Sequence, residues 1–194
     1  MMRRAIGIDV GTKHLAICRV AVREGDATDD ALCSIEHWAV LDEVVGCCTA
    51  AAVLVVLERG LEVPPGIDVV IERQPIKNPT MSKMQHYIEM YCASHGGIVH
   101  VQDSKRKLVY AAQTPWWPAD APDKPSYAAR KKLAIAATTG FLAAAESDKK
   151  QMFAASKKKD DLADSFLHAM AFLSHSPPRE KKRKKTPPVV VTVI

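Results

Sequence analysis

Residues 6–11 read Ile-Gly-Ile-Asp-Val-Gly and set one carboxylate, Asp9, into a short apolar run that predicts a β-strand. A glycine turn at residues 11–13 and a second apolar run at 15–22 predict a hairpin. A carboxylate in such a strand loses hydration at a large free-energy cost unless a cation or hydrogen-bond donors meet it. Taken alone, Asp9 also fits a turn or an ion pair, so its meaning depends on the other acidic residues.

The remaining pattern alternates between strand-like and helix-like segments. It predicts an α/β fold with a five-stranded mixed sheet flanked by helices, formed by residues 1–175. Residues 176–194 are basic and rich in proline and are expected to be a disordered tail. The predicted strands are residues 5–10, 15–22, 34–40, 67–72 and 98–101, and the predicted helices are residues 44–61, 80–94, 127–145 and 160–175.

The net charge of +5 is unevenly distributed. Residues 1–75 carry seven Lys/Arg against twelve Asp/Glu, residues 76–178 fourteen against nine, and residues 179–194 six against one. A basic second half favours an acidic polymer such as nucleic acid as the partner, although a solvated helix face explains a basic run equally well. The candidate DNA-contacting residues are Lys105, Arg106, Lys107, Arg130, Lys131 and Lys132.

Cysteine content and hydropathy bear on the compartment. The five cysteines are an odd number without a CxxC pair, which favours an intracellular, reducing compartment and argues against a disulfide framework or a zinc site. No run of eighteen apolar residues predicts a membrane span. The strand begins close to Met1, which leaves no room for a signal or transit peptide and makes a mitochondrial location less favoured.

Acidic residues recur at two further places. Glu72 ends the predicted strand at residues 67–72. In the last helix, Asp160, Asp161, Asp164 and His168 fall within a wedge of about 100°. If the strands of Asp9 and Glu72 are neighbours, their side chains converge at one sheet edge. Oxygen ligands without clustered cysteines suit Mg²⁺, or Mn²⁺ as a substitute, and call for no small-molecule cofactor.

Each of these acidic residues also has a simpler interpretation. Glu72 precedes Arg73 and fits a surface ion pair, and Asp160 with Asp161 fits a helix N-terminus. Asp164 lies one full turn inside the helix, where capping does not explain it. All of these simpler interpretations holding together is much less plausible than any one of them alone.

Three segments resemble the acidic motifs of the RuvC-like Holliday-junction resolvases. They are residues 6–11, residues 70–75 (Val-Ile-Glu-Arg-Gln-Pro) and residues 158–166 (Lys-Lys-Asp-Asp-Leu-Ala-Asp-Ser-Phe). The similarity is greatest to the branch of poxvirus, other large-DNA-virus and yeast mitochondrial enzymes, and the motifs span nearly the whole fold in the family's order. The resemblance implies an RNase H-like fold.

The resemblance also implies specific residue roles. Geometry alone leaves Asp160 and Asp161 open, and the family pattern favours Asp161. A lysine after the fifth strand takes part in such enzymes, and Lys105 and Lys107 are both candidates. The implied metal ligands are Asp9, Glu72, Asp161 and Asp164, with Asp9 bridging two ions.

The activity that the resemblance implies is symmetric nicking of four-way DNA by two-metal-ion hydrolysis, which requires a homodimer. A viral role in genome concatemer resolution is favoured, with action in a viral factory or in the host nucleus or cytoplasm. One apolar helix face is a candidate for the dimer interface, and core packing is the competing interpretation. The face consists of Met81, Met84, Ile88 and Tyr91.

Other classes share part of the pattern. An actin-like ATPase shares the first motif but needs about twice this length and a second phosphate loop. A YqgF-type RNA-processing nuclease fits the length but not the end of the strand at Glu72, and a non-catalytic DNA-binding protein has no need of converging carboxylates. The pair Trp116 and Trp117 fits either base stacking or, with more support, packing of their own loop.

Overall fold

The sheet has five strands and mixed direction. The computed structural model describes residues 2–23, 33–41, 49–145 and 147–175. The sheet order is β3-β2-β1-β4-β5. Strands β1, β4 and β5 run parallel, and β2 is antiparallel to both β1 and β3. The strands are β1 (Met2–Asp9), β2 (Leu15–Arg23), β3 (Cys33–Leu41), β4 (Asp68–Glu72) and β5 (Ile98–Gln102).

Helices cover both faces of the sheet. On one face, α1 and α2 pack against alternate residues of β1, β2 and β4. On the other face, α3 to α6 cover the intervening residues of the same strands. Because side chains alternate across a strand, each buried strand serves two cores. The helices are α1 (Ala50–Gly60), α2 (Pro79–Ser94), α3 (Lys105–Ala111), α4 (Tyr127–Ala144), α5 (Lys150–Ala155) and α6 (Lys159–His175).

Helix α6 is the central helix of the second face. It packs on β1 and β2 and is covered in turn by α3 and α4, so that ten of its residues are buried. The indole Nε1 of Trp38 donates a hydrogen bond of 3.1 Å to the backbone oxygen of Leu162, which ties β3 to the first turns of the helix. Gly7 lets β1 approach closely, because a Cβ there would collide with the backbone oxygen of Ser165. The carboxylates of α6 are therefore carried by a firmly held element.

The mixed five-stranded sheet and the flanking helices predicted from the sequence are confirmed. The predicted helix at residues 44–61 is observed from Ala50, and residues 42–48 lie outside the described residues, as do residues 24–32 and the predicted tail at 176–194. Two short helices, α3 and α5, were not predicted. Both are too short and too basic at their starts to produce a clear apolar period.

The apolar face of α2 packs into the protein's own core. Met84, Ile88 and Tyr91 are buried against the sheet, and Met81 is half-buried beside the groove described below. The interpretation of this face as a dimer interface is therefore wrong, because a side chain buried within one chain is not available to a second. Among the described residues, no helix combines the length and hydropathy that crossing a membrane requires.

The two tryptophans after α3 also pack inward. Trp116 and Trp117 are half-buried against the second core, and the Trp116 ring meets Phe141 edge-on with centroids 5.0 Å apart. Packing of their own loop, rather than stacking on bases, accounts for both residues.

The close approach at Gly7 gives a test of the packing. We expect Gly7→Ala to lower the free energy of unfolding by about 1–3 kcal/mol or more, because the added methyl group forces β1 away from α6. Urea denaturation measures the change. Ala136→Ser on the exposed side of α4 is the control and is expected to stay within about 0.5 kcal/mol of the parent. Equal stability of Gly7→Ala and the parent would contradict the described packing of β1 on α6.

Candidate metal centre

Strand register places Asp9 beside Glu72. Ile8 pairs with Ile71 across the parallel strands β1 and β4, and Asp9 and Glu72 are the next residues along each strand. Ile8 and Ile71 face the α1/α2 core, so the alternation of side chains turns both carboxylates toward α6. The carboxyl ends of two neighbouring strands thus present two acids on the same face of the sheet.

Helix α6 adds the third acid. Asp164 projects from its second turn, and one carboxylate oxygen from each of Asp9, Glu72 and Asp164 lies within 4.8 Å of the others. All three side chains are partly buried. The structure therefore brings together three of the four residues expected as metal ligands.

A lysine lies at the centre of this cluster. The Lys107 Nζ donates to Glu72 Oε2 at 2.9 Å and lies 2.7 Å from Asp164 Oδ2. Its side chain is only 9% exposed, because α3 directs Lys107 inward. Lys105, two residues earlier, is exposed and lies at the rim. Of the two lysines left open by the sequence, Lys107 is the one that contacts the acids.

The cluster shifts the pKa of each acid differently. Burial alone would raise the pKa of Glu72, but the hydrogen bond from His168 and the charge of Lys107 lower it to about 2. Burial raises the pKa of Asp164 by more than Lys107 lowers it. Burial, followed by the charges of Asp164 and Glu72, raises the pKa of Asp9 well above 3.8. One ammonium group does not balance three carboxylates, and Asp9 bears the excess.

Asp160 and Asp161 have different surroundings. Asp160 pairs with Lys131 at 2.6 Å, and although burial would raise its pKa, that hydrogen bond lowers it. Asp161 lines the same groove as Asp9 and Asp164, 3.9 Å from Lys158, but lies outside the group of three. Burial and the neighbouring Asp160 raise the pKa of Asp161. The groove position favours Asp161 over Asp160 as the fourth acid.

The acids form the floor of an open groove of about 440 Å³ whose rim is basic. Lys105, Arg130 and Lys131 line it, as the sequence analysis expects for DNA contacts. Arg106 and Lys132 are exposed and do not line it. The predicted basic set is thus divided by the structure into a rim group and an outer group.

The groove also contains residues that the sequence analysis did not select. Lys13 and Lys158 add positive charge. Tyr127 is 69% exposed at the start of α4, with the Arg130 Cζ 5.9 Å and the Lys131 Nζ 5.5 Å from its ring centroid. Lys13 lies two residues after the first acidic motif and Lys158 is the first residue of the third, so proximity to the motifs is the signal that would have found them.

His168 was placed by helical periodicity on the same wedge as the aspartates, presented outward. The structure instead buries it completely behind Glu72, with its Nε2 2.9 Å from Glu72 Oε2. On its other side, Gln102 from the end of β5 lies 3.2 Å from His168 Nδ1. Periodicity identified the direction of the side chain but not the depth at which it lies.

The donor set fits a hard divalent cation. Carboxylate oxygens from rigid elements, with no sulfur ligand among them, are the ligands that Mg²⁺ and Mn²⁺ prefer. Burial first, and then the charges of Asp164 and Glu72, raise the pKa of Asp9, and a cation at the floor would favour its ionised form. Asp9, Glu72 and Asp164 would hold such an ion, with Asp161 in reach of the same groove.

Comparison with known proteins finds no matching family model and no matching curated protein sequence. Solved structures do match. The fowlpox virus resolvase in complex with Holliday junction DNA superposes with a TM-score of 0.61 at 19% identity, covering 88% of this chain and 97% of that one. RuvC from Thermus thermophilus superposes with a TM-score of 0.54 at 17% identity, covering 89% of this chain and 93% of that one. The yeast mitochondrial Holliday junction resolvase Ydc2 superposes with a TM-score of 0.59 at 14% identity, covering 88% of this chain and 79% of that one.

The chain has the RuvC-like form of the RNase H fold. The resemblance stated from the three acidic motifs is confirmed at the level of the fold. At these identities the resolvase fold is what the likeness shows.

The excess charge at Asp9 predicts a stability change of unusual sign. A raised folded-state pKa means that ionisation of Asp9 opposes folding, a cost present in full above that pKa and lost as the pH falls below the unfolded-state value near 3.8. We expect Asp9→Asn to raise the free energy of unfolding on the order of 1 kcal/mol near neutral pH in EDTA. Denaturant titration measures it.

The gain in stability from Asp9→Asn should shrink at acid pH, because the parent Asp9 is then protonated and, like asparagine, carries no charge. It should also shrink or reverse when excess Mg²⁺ is added, because a cation stabilises only a chain that binds it. A variant that is less stable than the parent in EDTA near neutral pH would show that the Asp9 carboxylate is not under electrostatic strain.

Proposed function

We propose that this protein is a Mg²⁺-dependent endonuclease that resolves Holliday junctions. The observation that carries the proposal is the cluster of Asp9, Glu72 and Asp164 around Lys107, on the floor of a basic groove in a resolvase fold. Two of the matching structures contain Holliday junction DNA, one with the fowlpox virus resolvase and one with RuvC of Thermus thermophilus.

The residues divide the chemistry of phosphodiester hydrolysis among them. Asp9, Glu72 and Asp164, joined by Asp161, hold the divalent cations through carboxylate oxygens. Divalent cations held there would supply an activated water and would neutralise the charge on the departing 3′ oxygen. The Lys107 ammonium offsets part of the charge of Glu72 and Asp164 and lines the groove, where it would contact a phosphate oxygen. Lys107 thus lowers the net negative charge of the acidic cluster, so that the cluster can accept divalent cations beside a DNA backbone.

The basic rim binds the DNA backbone. Lys13, Lys105, Arg130 and Lys131 surround the acidic floor and attract phosphates on either side of the bond to be cut. The outer residues Lys132 and Arg106 contribute less. Because this contact is with phosphates, specificity for a junction comes from the shape of the DNA.

Symmetric resolution requires two active sites related by a twofold axis, so we include a homodimer in the proposal. The buried face of α2 is excluded from its interface. We further propose that the substrate is the branched DNA of a viral genome, because the fowlpox virus resolvase matches 97% of its own length to this chain. We also propose a reducing compartment, because the five cysteines are an odd number without a CxxC pair.

The main test uses labelled four-way junction, linear duplex and single-stranded RNA, each incubated with the full chain and Mg²⁺. We expect symmetric nicks in the junction and no cleavage of the linear duplex or of the RNA. In EDTA we expect no cleavage of any substrate. Asp164→Asn should abolish cleavage while junction binding persists, because it removes a ligand and leaves the basic rim intact. Gel analysis of the products and a binding titration measure both properties.

Asp160→Asn is the matched control, since the same substitution one turn earlier in α6 removes an acid that pairs with Lys131 and does not line the groove. It should retain cleavage. Full activity of Asp164→Asn would reject the assigned site, and trimming of RNA in place of junction nicking would favour a YqgF-type nuclease.

A second test separates the rim from the outer basic residues. Arg130→Ala should weaken junction binding and lower the slope of log affinity against log salt by about 1, because one phosphate contact is lost. Lys132→Ala, two positions later on the same helix, removes an equal charge outside the groove and should change both values much less. Fluorescence anisotropy over a salt series measures both. Identical behaviour of the two variants would mean that the groove does not define the DNA path.

A further inference from the structure

Behind Glu72, on the side away from the groove, lies a buried polar pair. His168 of α6 is fully buried and Gln102 of β5 is 4% exposed, and neither lines the groove. The His168 Nε2 lies 2.9 Å from Glu72 Oε2, and the Gln102 Nε2 lies 3.2 Å from His168 Nδ1. A chain of hydrogen bonds therefore runs from β5 through α6 to the acid at the end of β4.

The direction of the hydrogen bond to Glu72 is set by the carboxylate. A carboxylate only accepts, so His168 must donate from Nε2 to Glu72. Nδ1 of a neutral ring then accepts, and the amide nitrogen of Gln102 is the donor that faces it. Turning the amide around would place its oxygen against that lone pair. In a neutral ring, the Gln102 amide in this orientation holds the tautomer in which His168 donates to Glu72.

Gln102 keeps this contact at a cost. Among the described residues its Oε1 is buried and has no hydrogen-bond partner. A buried carbonyl without a partner costs about 1–3 kcal/mol, and such groups in native proteins call for an explanation. His168 also occupies a core position, although most of the other buried residues of α6 are apolar and would suit packing alone.

Both donors to Glu72 meet the same oxygen. His168 and Lys107 each contact Oε2, from the buried side and the groove side respectively. Two donors on one oxygen restrict the rotation of the carboxylate, and neither of them contacts Oε1.

We propose that His168, held by Gln102, is a positioning residue that orients Glu72 as a ligand for the divalent cation. The inference rests on the proposed function in one respect, the binding of a divalent cation by the acidic cluster. His168 touches neither ion nor DNA in this assignment and acts only through Glu72.

The test measures binding of Mn²⁺ alone to the full chain by isothermal titration calorimetry, without DNA. His168→Leu should weaken Mn²⁺ binding by about 10- to 100-fold, the usual effect of removing a group that orients a metal ligand. His168→Gln should restore most of the affinity, because its side-chain amide can donate to Oε2 from nearly the same place. A purely structural role predicts loss of stability in both variants and no such difference in affinity.

Thermal unfolding in EDTA checks that each variant folds. If His168→Leu does not fold, Gln102→Leu takes its place, and we expect weaker Mn²⁺ binding from it because the ring is no longer held. Unchanged affinity in the folded variant, or equal weakening in His168→Leu and His168→Gln, overturns the inference.

The outcome separates this inference from the proposed function. A parent protein that binds Mn²⁺ but does not nick junctions refutes the resolvase proposal, and the effect of His168→Leu on binding still decides the positioning role. A parent protein that binds no Mn²⁺ overturns both.

Discussion

The structure depends on holding mutually repelling carboxylates together at one end of the sheet. Asp9, Glu72 and Asp164 lie within 4.8 Å of one another. Two like charges 4 Å apart repel by about 4 kcal/mol at an effective dielectric of about 20, a large fraction of the 5–15 kcal/mol that stabilises a typical domain. Lys107 relieves part of this repulsion, and the raised pKa of Asp9 shows that part of it persists.

The fold opposes that repulsion by mounting each acid on a rigid element. The paired ends of β1 and β4 fix the first two acids, and the burial of α6 against the sheet fixes the third. The contacts that secure α6 are the hydrogen bond from Trp38 to Leu162 and the close approach of Gly7 to Ser165, which lie on either side of Asp164 in the sequence. The repulsion among the three carboxylates lowers the stability of the fold, and these contacts hold the carboxylates in a geometry that a cation can use.

How much of this was predictable depends on the range of the interaction. Strand and helix periodicity predicted the sheet and the faces that carry Asp9, Glu72 and Asp164, because those patterns are local. Predicting the contact of Lys107 with the acids would have required the rotational phase of α3. This helix is short, and its basic start hides its apolar pattern. The burial of His168 and of the α2 face required knowing what packs against them, and a single helix does not contain that information. The pairing of Asp160 with Lys131 joins two helices distant in sequence and was equally out of reach.

The uneven charge of the chain acquires a spatial meaning in the folded protein. The acidic first part supplies Asp9 and Glu72 to the floor of the groove, and the basic second part supplies most of the rim. A polyanion alone is attracted by the rim and repelled by the floor, and a cation alone is bound by the floor and repelled by the rim. Only a polyanion that arrives with divalent cations satisfies both regions at once. That requirement is met by a phosphodiester backbone bound together with divalent metal ions, and it follows from the distribution of charge independently of any similarity in fold.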